Sequence, residues 1–500
     1  MIRPVGIETE YGLNCEGFQE LIDFGYEASM VVRAAPVKGA FRGWDYTRED
    51  PRLDLRGTRI NQLAHAPDGL CESTVKSSQM SRAELLANTV LPNGARYYND
   101  HNHPEYCTET CTSLEELVAQ DKAGELLLWQ CQQSRNESSQ TGHISIIKNN
   151  TDYHGRSYGT HENYLVPRNI AFQQLADGML PFLTARQVLV GAGKVGCEGP
   201  TPGDAEFQLS QRADFFEEQV GINTTSRRPI FNTRDEPHAD RKHWRRLHVI
   251  AGDANRSEYA TALKVGMTGM VIDSLVAGQQ FAVNLRDPLR AIKEFSRDPS
   301  LTVTTETVSN QELTALDVME LYLETLEKDH QDEHDKKWIM QQWRELVDLL
   351  RQNRGKAGDR LDWVAKWNLM EELGGSGCLD LSSRKKIDLA YHLVDPDLSL
   401  FDSLVAAGQI RRLVNNTAIH WASNNPPSGT RGSVRGLILQ RFEKHVINME
   451  WDSITLVADG HNYEITLAEI EGDTIDRLHR VFTEAPNMQS ALTTLNMRDH

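Results

Sequence analysis

The chain has 500 residues, 39% of them hydrophobic and 25% charged, and a formal net charge of −18. That balance excludes a fibrous or disordered chain and fits a globular one long enough for two domains, one of them large. Its acidity argues against a wrapped nucleic-acid partner, no apolar run reaches the roughly 20 residues that span a bilayer, and the opening "MIRPVGIETEYG" has no signal-peptide core, so a cytoplasmic location and no membrane partner are expected.

The first element in chain order is a strand over residues 5–13, "VGIETEYGL", an apolar run that carries Glu8 and Glu10. Residues 33–57 hold Pro, Gly and mixed charge without a period and read as an extended or mobile loop, which with its flanks covers about 34–83. "NGARYYNDHNHPEYCTE" (93–109) opens on a turn signal and continues with β character. Ser113 and Glu116 then predict a capping box that starts a helix. Residues 143–150 and 158–166 read as further strands, and helical periodicity covers 257–277 and 314–350. "SNNPPSGTRG" (423–432) marks a boundary. Beyond it Asp459-Gly460 sits between alternating runs as a hairpin turn, and "DTIDRLHRVF" closes the chain as a helix. The pattern predicts an α+β fold, with a catalytic domain over 1–425 and a small α+β domain over 430–500. The seven cysteines, an odd number without a C-x-x-C pair, read as free thiols, Cys107 and Cys111 included.

Side chains alternate along a strand, so Glu8 and Glu10 share a face about 6–7 Å apart. Two buried carboxylates at that spacing resist ionisation unless hard divalent cations answer them; the plain alternative is an edge strand with both solvated. Arg96, Tyr98 and Asp100 alternate in the same way, and His103 and Glu105 follow. These donors suit Mg²⁺ with a phosphate that the planar fork of Arg96 would grip, or else form a surface ion-pair ladder. In "THENYL" His161 and Asn163 share one face and Glu162 takes the other, although a lone strand histidine is more often structural than a ligand. Arg234, Arg246 and His248 are further candidates for polyphosphate and metal, against the alternative of ordinary salt-bridged side chains.

"GAGKVG" (191–196) matches G-x-G-x-x-G, but "CEGPTPGD" follows where a dinucleotide fold needs a helix, and no Ser or Thr follows the lysine. The residues alone therefore lead to a carboxylate-rich sheet face that binds divalent metal and a nucleotide without a P-loop, with Asp100 left for chemistry. They do not name the transformation.

"GIETEYG", "NGARYYNDHNHPEY", "KNNTDYHGRSYGTHENYL", "LSQRADF", "PIFNTRDEPHAD" and "RRLHVIAGDANRSE" resemble the family of Pup ligases and Pup deamidases/depupylases over essentially the whole chain, least in 14–92 and 290–420. The resemblance implies a fold similar to glutamine synthetase, a curved antiparallel sheet that cradles ATP and Mg²⁺ with helices behind it. It implies metal-site roles for Glu8, Glu10, Tyr98, Glu105, His161 and His248. Arg96, Thr108, Arg212, Arg234, Arg246 and Trp451 match nucleotide-site positions, and Asp100 matches the catalytic aspartate. Two features resemble the deamidase/depupylase branch: Glu8 and Asp100 lie 92 residues apart (100 − 8), where the ligase connection is much shorter, and "DHNHPE" is compact where the ligase has one more residue. The implied substrates are Pup, an acidic disordered modifier ending in Gly-Gly-Gln, and pupylated proteins; a monomer is expected. "RKHWRR" is a candidate edge for the acidic partner. The rival readings are the ligase itself, a small-molecule carboxylate–amine ligase, and an inactive nucleotide-binding subunit.

Overall fold

A computed structural model describes residues 2–64, 75–139, 142–198, 205–328, 333–374 and 379–496. The alternation of the first strand sets up the larger body. Strand β1 (Val5–Glu10) buries Val5, Ile7 and Thr9 on one face and leaves Glu8 and Glu10 half-buried on the other. It is an interior strand of a seven-stranded sheet with β2 (Phe41–Arg42), β3 (Thr89–Val90), β4 (Arg96–Asp100), β5 (His103–Cys107), β6 (Thr160–Pro167) and β7 (Trp244–Val249). The order is β7-β6-β1-β5-β4-β3-β2, and every neighbouring pair is antiparallel. The run expected over 5–13 is thus two strands: it breaks at Tyr11, and Gly12–Glu16 leaves to pair with His143–Ile147.

Helices α1 (Leu114–Ser138), α2 (Phe172–Ala185) and α3 (Glu258–Val276) cover the apolar face. Val5, Ile7, Tyr164, Val166, Leu247 and Val249 share one core with Leu117, Phe182, Leu263 and Val271. At roughly 1.5–3 kcal/mol for each fully buried large apolar side chain, this face holds the sheet and frees the opposite one to carry charge. Helix α3 is buried nearly all round, which is why it lacks an amphipathic stripe. Gly266 is needed there, because a Cβ would meet Ile339 Cδ1 at 2.6 Å. Ser113 caps α1 through the Glu116 amide, but the reciprocal half of the expected capping box is absent. Instead the Glu116 carboxylate accepts from the amide and hydroxyl of Ser428. The helical stretch expected over 314–350 is two helices, α4 (Ala315–Glu327) and α5 (His334–Gln352).

A second core joins α6 (Arg431–Phe442), the three-stranded sheet β8 (Val446–Met449), β9 (Ser453–Ala458) and β10 (His461–Thr466), and α7 (Asp473–Glu484). Asp459 (φ 49°) and Gly460 (φ 80°) form the expected hairpin turn. No described helix is long and apolar enough to cross a membrane.

Parts of the segment expected to be a mobile loop make specific contacts; residues 65–74 lie outside the described residues. Its first part, 41–64, is a strap between the second core and the larger body. At one end Trp44 meets the Trp451 ring edge-on at 5.3 Å, the Asn448 amide donates to Asp45, and Arg48 faces Glu450, Asp452 and Glu464. At the other, the Leu55 amide and the Asp54 carboxylate bond Thr233, and the Asp235 amide donates to the Leu53 carbonyl.

Candidate active site

The open face of the large sheet is indexed by one tight turn. Asp100 pairs with His103 across His101 (φ 44°) and Asn102 (φ 72°), both left-handed. That is the type I′ geometry whose twist suits a two-residue hairpin. From it the register follows: Tyr98 lies opposite Glu105, Arg96 opposite Cys107, Glu10 opposite Glu105, and Glu8 between Cys107 and His161. On the other side of β6, His248 lies opposite Asn163.

Two clusters of ligand-type side chains result. The first is Glu8, His161 and His248, with one donor atom from each within 4.8 Å of the others. His161 Nδ1 is 3.2 Å and His248 Nε2 3.6 Å from Glu8 Oε2, while Asn163 donates to Glu8 Oε1 at 2.9 Å. Burial works to raise the Glu8 carboxyl, but hydrogen bonding by His161 and the approach of His248 overcome it and hold the group well below the usual carboxylate range. Burial, reinforced by the Arg246 charge, pushes His248 well below its ordinary value. An ionised carboxylate beside a neutral imidazole is the ligand form of both groups.

The second cluster is Glu10, Asp100 and Glu105, again within 4.8 Å. Asp100, which the resemblance matches to the catalytic aspartate, is brought by the hairpin beside Glu10 and Glu105. Burial, then the charges of Asp100, Glu8 and Glu10, pushes Glu105 well above its usual range. Asp100 moves the other way: burial opposes ionisation, yet the His101 ring, 2.9 Å away, and nearby Arg96 hold it low. Three carboxylates on a half-buried face are poorly matched to one another and well matched to a hard cation. Tyr98 shares the face, but burial and the charges of Asp100 and Glu105 keep its phenol protonated, and its ring packs 4.0 Å from the Arg96 guanidinium.

The predicted arginines divide. Arg96, expected to grip a phosphate, is engaged by the strap and its neighbours: it donates to Asn88 Oδ1 and Tyr46 Oη and is sandwiched between Trp44 (4.1 Å) and Tyr98. Arg234 and Arg246 converge on the first cluster, Arg246 Nη1 lying 3.8 Å from Glu8 Oε1. Their Nε atoms are buried without a hydrogen-bond partner, as are both ring nitrogens of His248. Such donors fit a polyanion with cations, because buried polar groups in a folded protein ordinarily have partners. Arg212 lies near the second cluster, beside Glu10. Arg228, which the sequence reading did not single out, stands with it. Its only signal was membership of "RPIFNTRDEP", where it looks like any surface arginine.

Next to the first cluster lies a concave pocket whose lining includes Gly6, Ile7, Thr108, Arg246, Arg431 and Trp451. Thr108 Oγ1 accepts from the Ile7 amide and so ties the pocket floor together. Trp451 is placed from below by the Arg435 guanidinium, 4.6 Å from its ring. An apolar floor, an aromatic wall and a cationic end next to carboxylates suit a ligand with a flat ring and an anionic end. "GAGKVG" plays no such part: Lys194–Val195 is a short strand, and Lys194 pairs with buried Asp214.

The profile of the Pup-ligase protein family matches residues 3–455. The chain belongs to the Pup-ligase family. Within this family the chain is 37% identical to a depupylase of Acidothermus cellulolyticus, with 99% of each chain covered. It is 38% identical to a Pup deamidase/depupylase of Mycobacterium tuberculosis, with 91% of each covered. A Pup–protein ligase of Acidimicrobium ferrooxidans is 40% identical, but over 71% of this chain and 80% of the ligase. The Pup-ligase family fold is also found by structure. The ligase PafA in complex with Pup superposes with a TM-score of 0.79 at 28% identity, covering 99% of this chain and 95% of that one. PafA in complex with ADP gives 0.73 at 29% identity, covering 85% and 96%.

Proposed function

We propose that this chain is a Pup deamidase and depupylase. It hydrolyses the side-chain amide of the C-terminal glutamine of Pup to glutamate, and the equivalent isopeptide bond between Pup and a protein lysine, with ATP and Mg²⁺ as cofactors. The observation that carries this reading is coverage: relatives named for hydrolysis span 91–99% of the chain, against 71% for the ligase, although the ligase is slightly more identical where it matches. The compact His101–Asn102 turn and the strap support the same branch.

Glu8, His161 and His248 would hold one divalent cation and Glu10, Glu105 and Asp100 a second, while Trp451, Thr108, Arg234 and Arg246 would hold the nucleotide. Bound cations would supply Lewis-acid polarisation and charge for the phosphates. Asp100, held ionised by His101 and Arg96, attacks the amide carbonyl or takes a proton from the water that does. In either course the C–N bond breaks, ammonia or the lysine amine leaves, and water supplies the oxygen of the new carboxylate.

The test is Pup ending in glutamine, incubated with enzyme, ATP and Mg²⁺ and read by mass spectrometry and ammonia release. Conversion to the glutamate form, abolished in Asp100→Asn, is the expected result. The ligase reading draws on the structural likeness to PafA and predicts the opposite outcome: no conversion of the glutamine form, and conjugation of the glutamate form to a lysine with release of phosphate.

A further inference from the structure

A three-residue segment, Ser157–Tyr158–Gly159, ties three side chains to one place. The Ser157 carbonyl accepts from Arg228 Nη2 at 2.8 Å, and the Tyr158 carbonyl accepts from Arg212 Nη1. The Gly159 amide donates to the Glu10 carboxylate, and the Glu10 amide donates back to the Gly159 carbonyl. Arg228 Nε is fixed by a further carbonyl, that of Thr224, at 2.9 Å. Both guanidiniums are therefore oriented by neutral acceptors, and among the described residues neither forms an ion pair with a carboxylate. Arg212 is 1% exposed and its Nε has no hydrogen-bond partner. Two buried or half-buried positive charges held side by side, with Glu10 near them but no direct ion-pair partner among the described residues, form a site for an oxyanion.

Its position narrows the choice. The aromatic pocket lies at Gly6 and Ile7, and a strand rises about 3.3 Å per residue, so Glu10 is about 10–13 Å further along β1. The arginine pair is at that far end, beside the trio that contains Asp100. The reacting amide must sit at Asp100. In a C-terminal glutamine the free α-carboxylate is four bonds from the amide carbon, about 5 Å at full extension. It must therefore come to rest close to Glu10, Asp100 and Glu105, which repel it unless a fixed cation answers.

We propose that Arg228, with Arg212 beside it, binds the free α-carboxylate of the substrate's C-terminal residue and so restricts hydrolysis to a chain end. This rests on the hydrolase reading above. The other source of an oxyanion is the terminal phosphate of the nucleotide, and the experiment separates the two. Wild type and Arg228→Gln are each given Pup-glutamine with a free or an amidated α-carboxyl group, and ammonia release is followed. ATP affinity is measured in parallel by calorimetry. Wild type should prefer the free carboxylate in kcat/KM by about tenfold or more, the scale of one charge-assisted bidentate contact. Arg228→Gln should lose that preference while ATP affinity stays unchanged, and Arg228→Lys should restore part of it. The preference is a ratio within one preparation, so a partly unfolded variant does not distort it. Equal turnover of the two substrates by wild type overturns the inference. So does a preference that survives in Arg228→Gln, or a selective loss of ATP binding there, which assigns the pair to phosphate. A wild type that releases ammonia from neither substrate refutes the hydrolase reading itself, and this inference with it.

Discussion

Glu109 is the sharpest test of how the two cores are joined. It follows β5, is fully buried, and places Oε2 2.6 Å from Arg435 Nη2 on α6, with Arg431 Nε 3.8 Å from Oε1. The Glu109–Arg435 contact is a charge pair rather than an aligned hydrogen bond, so the amide of Glu109→Gln cannot reproduce it. The variant leaves two arginines buried away from bulk solvent, and burial already lowers Arg435 to about 10. Removing one partner of a buried ion pair costs about 3–5 kcal/mol, most of it the orphaned charge. That loss should appear in urea denaturation. It should also loosen Trp451, which stacks on Arg435, and so weaken nucleotide binding. The control is Glu109→Gln with Arg435→Met: no orphan charge remains at position 435, so the double variant should be more stable than Glu109→Gln alone by at least about 1 kcal/mol. A loss below about 1 kcal/mol for Glu109→Gln, or effects that simply add, would refute the account of this pair as the joint.

Other outcomes follow from the same geometry. In Gly159→Ala the new Cβ would fall 2.2 Å from His161 Nε2, so the ring must turn away from Glu8; cation affinity by calorimetry should fall about 10–100-fold, as when a ligand loses its orientation, with the fold intact by circular dichroism. Unchanged affinity would remove His161 from the first cluster. Cation binding should expel the proton that burial and three carboxylates keep on Glu105, so calorimetry in buffers of different ionisation heat should show up to about one proton released and an affinity that rises with pH. Because the folded-state value of Glu105 is raised, its contribution to the stability of the cation-free protein is complete below the ordinary carboxyl range and is lost as pH rises through the raised value. Glu105→Gln should abolish both effects. Arg48→Ala should speed proteolytic cleavage within 41–64 while leaving the global unfolding midpoint nearly unchanged, since Arg48 is half-exposed and such pairs contribute about 0–1 kcal/mol; equal cleavage rates would show that the strap is held elsewhere.

The face assignments were legible because a period of two needs only neighbours in sequence. Glu8 with Glu10, Arg96 with Tyr98 and Asp100, and His161 with Asn163 all emerge on the predicted side. The hairpin at Asp459-Gly460 was legible for the same local reason. What pairs across distance was not. Nothing in "GWDYTRED" shows that Trp44 and Tyr46 will occupy the Arg96 guanidinium, because that contact joins segments far apart in the chain, 50 residues between Tyr46 and Arg96. That Asp100 would lie beside Glu10 was not legible either, because alternation gives a face and not the reach of a side chain across two strands. Arg228 carries no pattern at all. Its importance comes from a carbonyl 71 residues earlier in the chain.

The two-residue turn at His101–Asn102 has a consequence for how this sheet can change over evolutionary time. Such a turn is the shortest antiparallel link, and side chains alternate with a period of two, so one inserted residue without a compensating bulge reverses which face every later residue of β5 presents. Glu105 and Cys107 would exchange places with Pro104 and Tyr106, leaving the carboxylate row without a member and the core with a charge. Length variation at this point is therefore not neutral drift in a surface loop. It is a discrete switch, and any lineage that lengthens the turn must acquire a bulge in the same step or abandon the chemistry of the whole row.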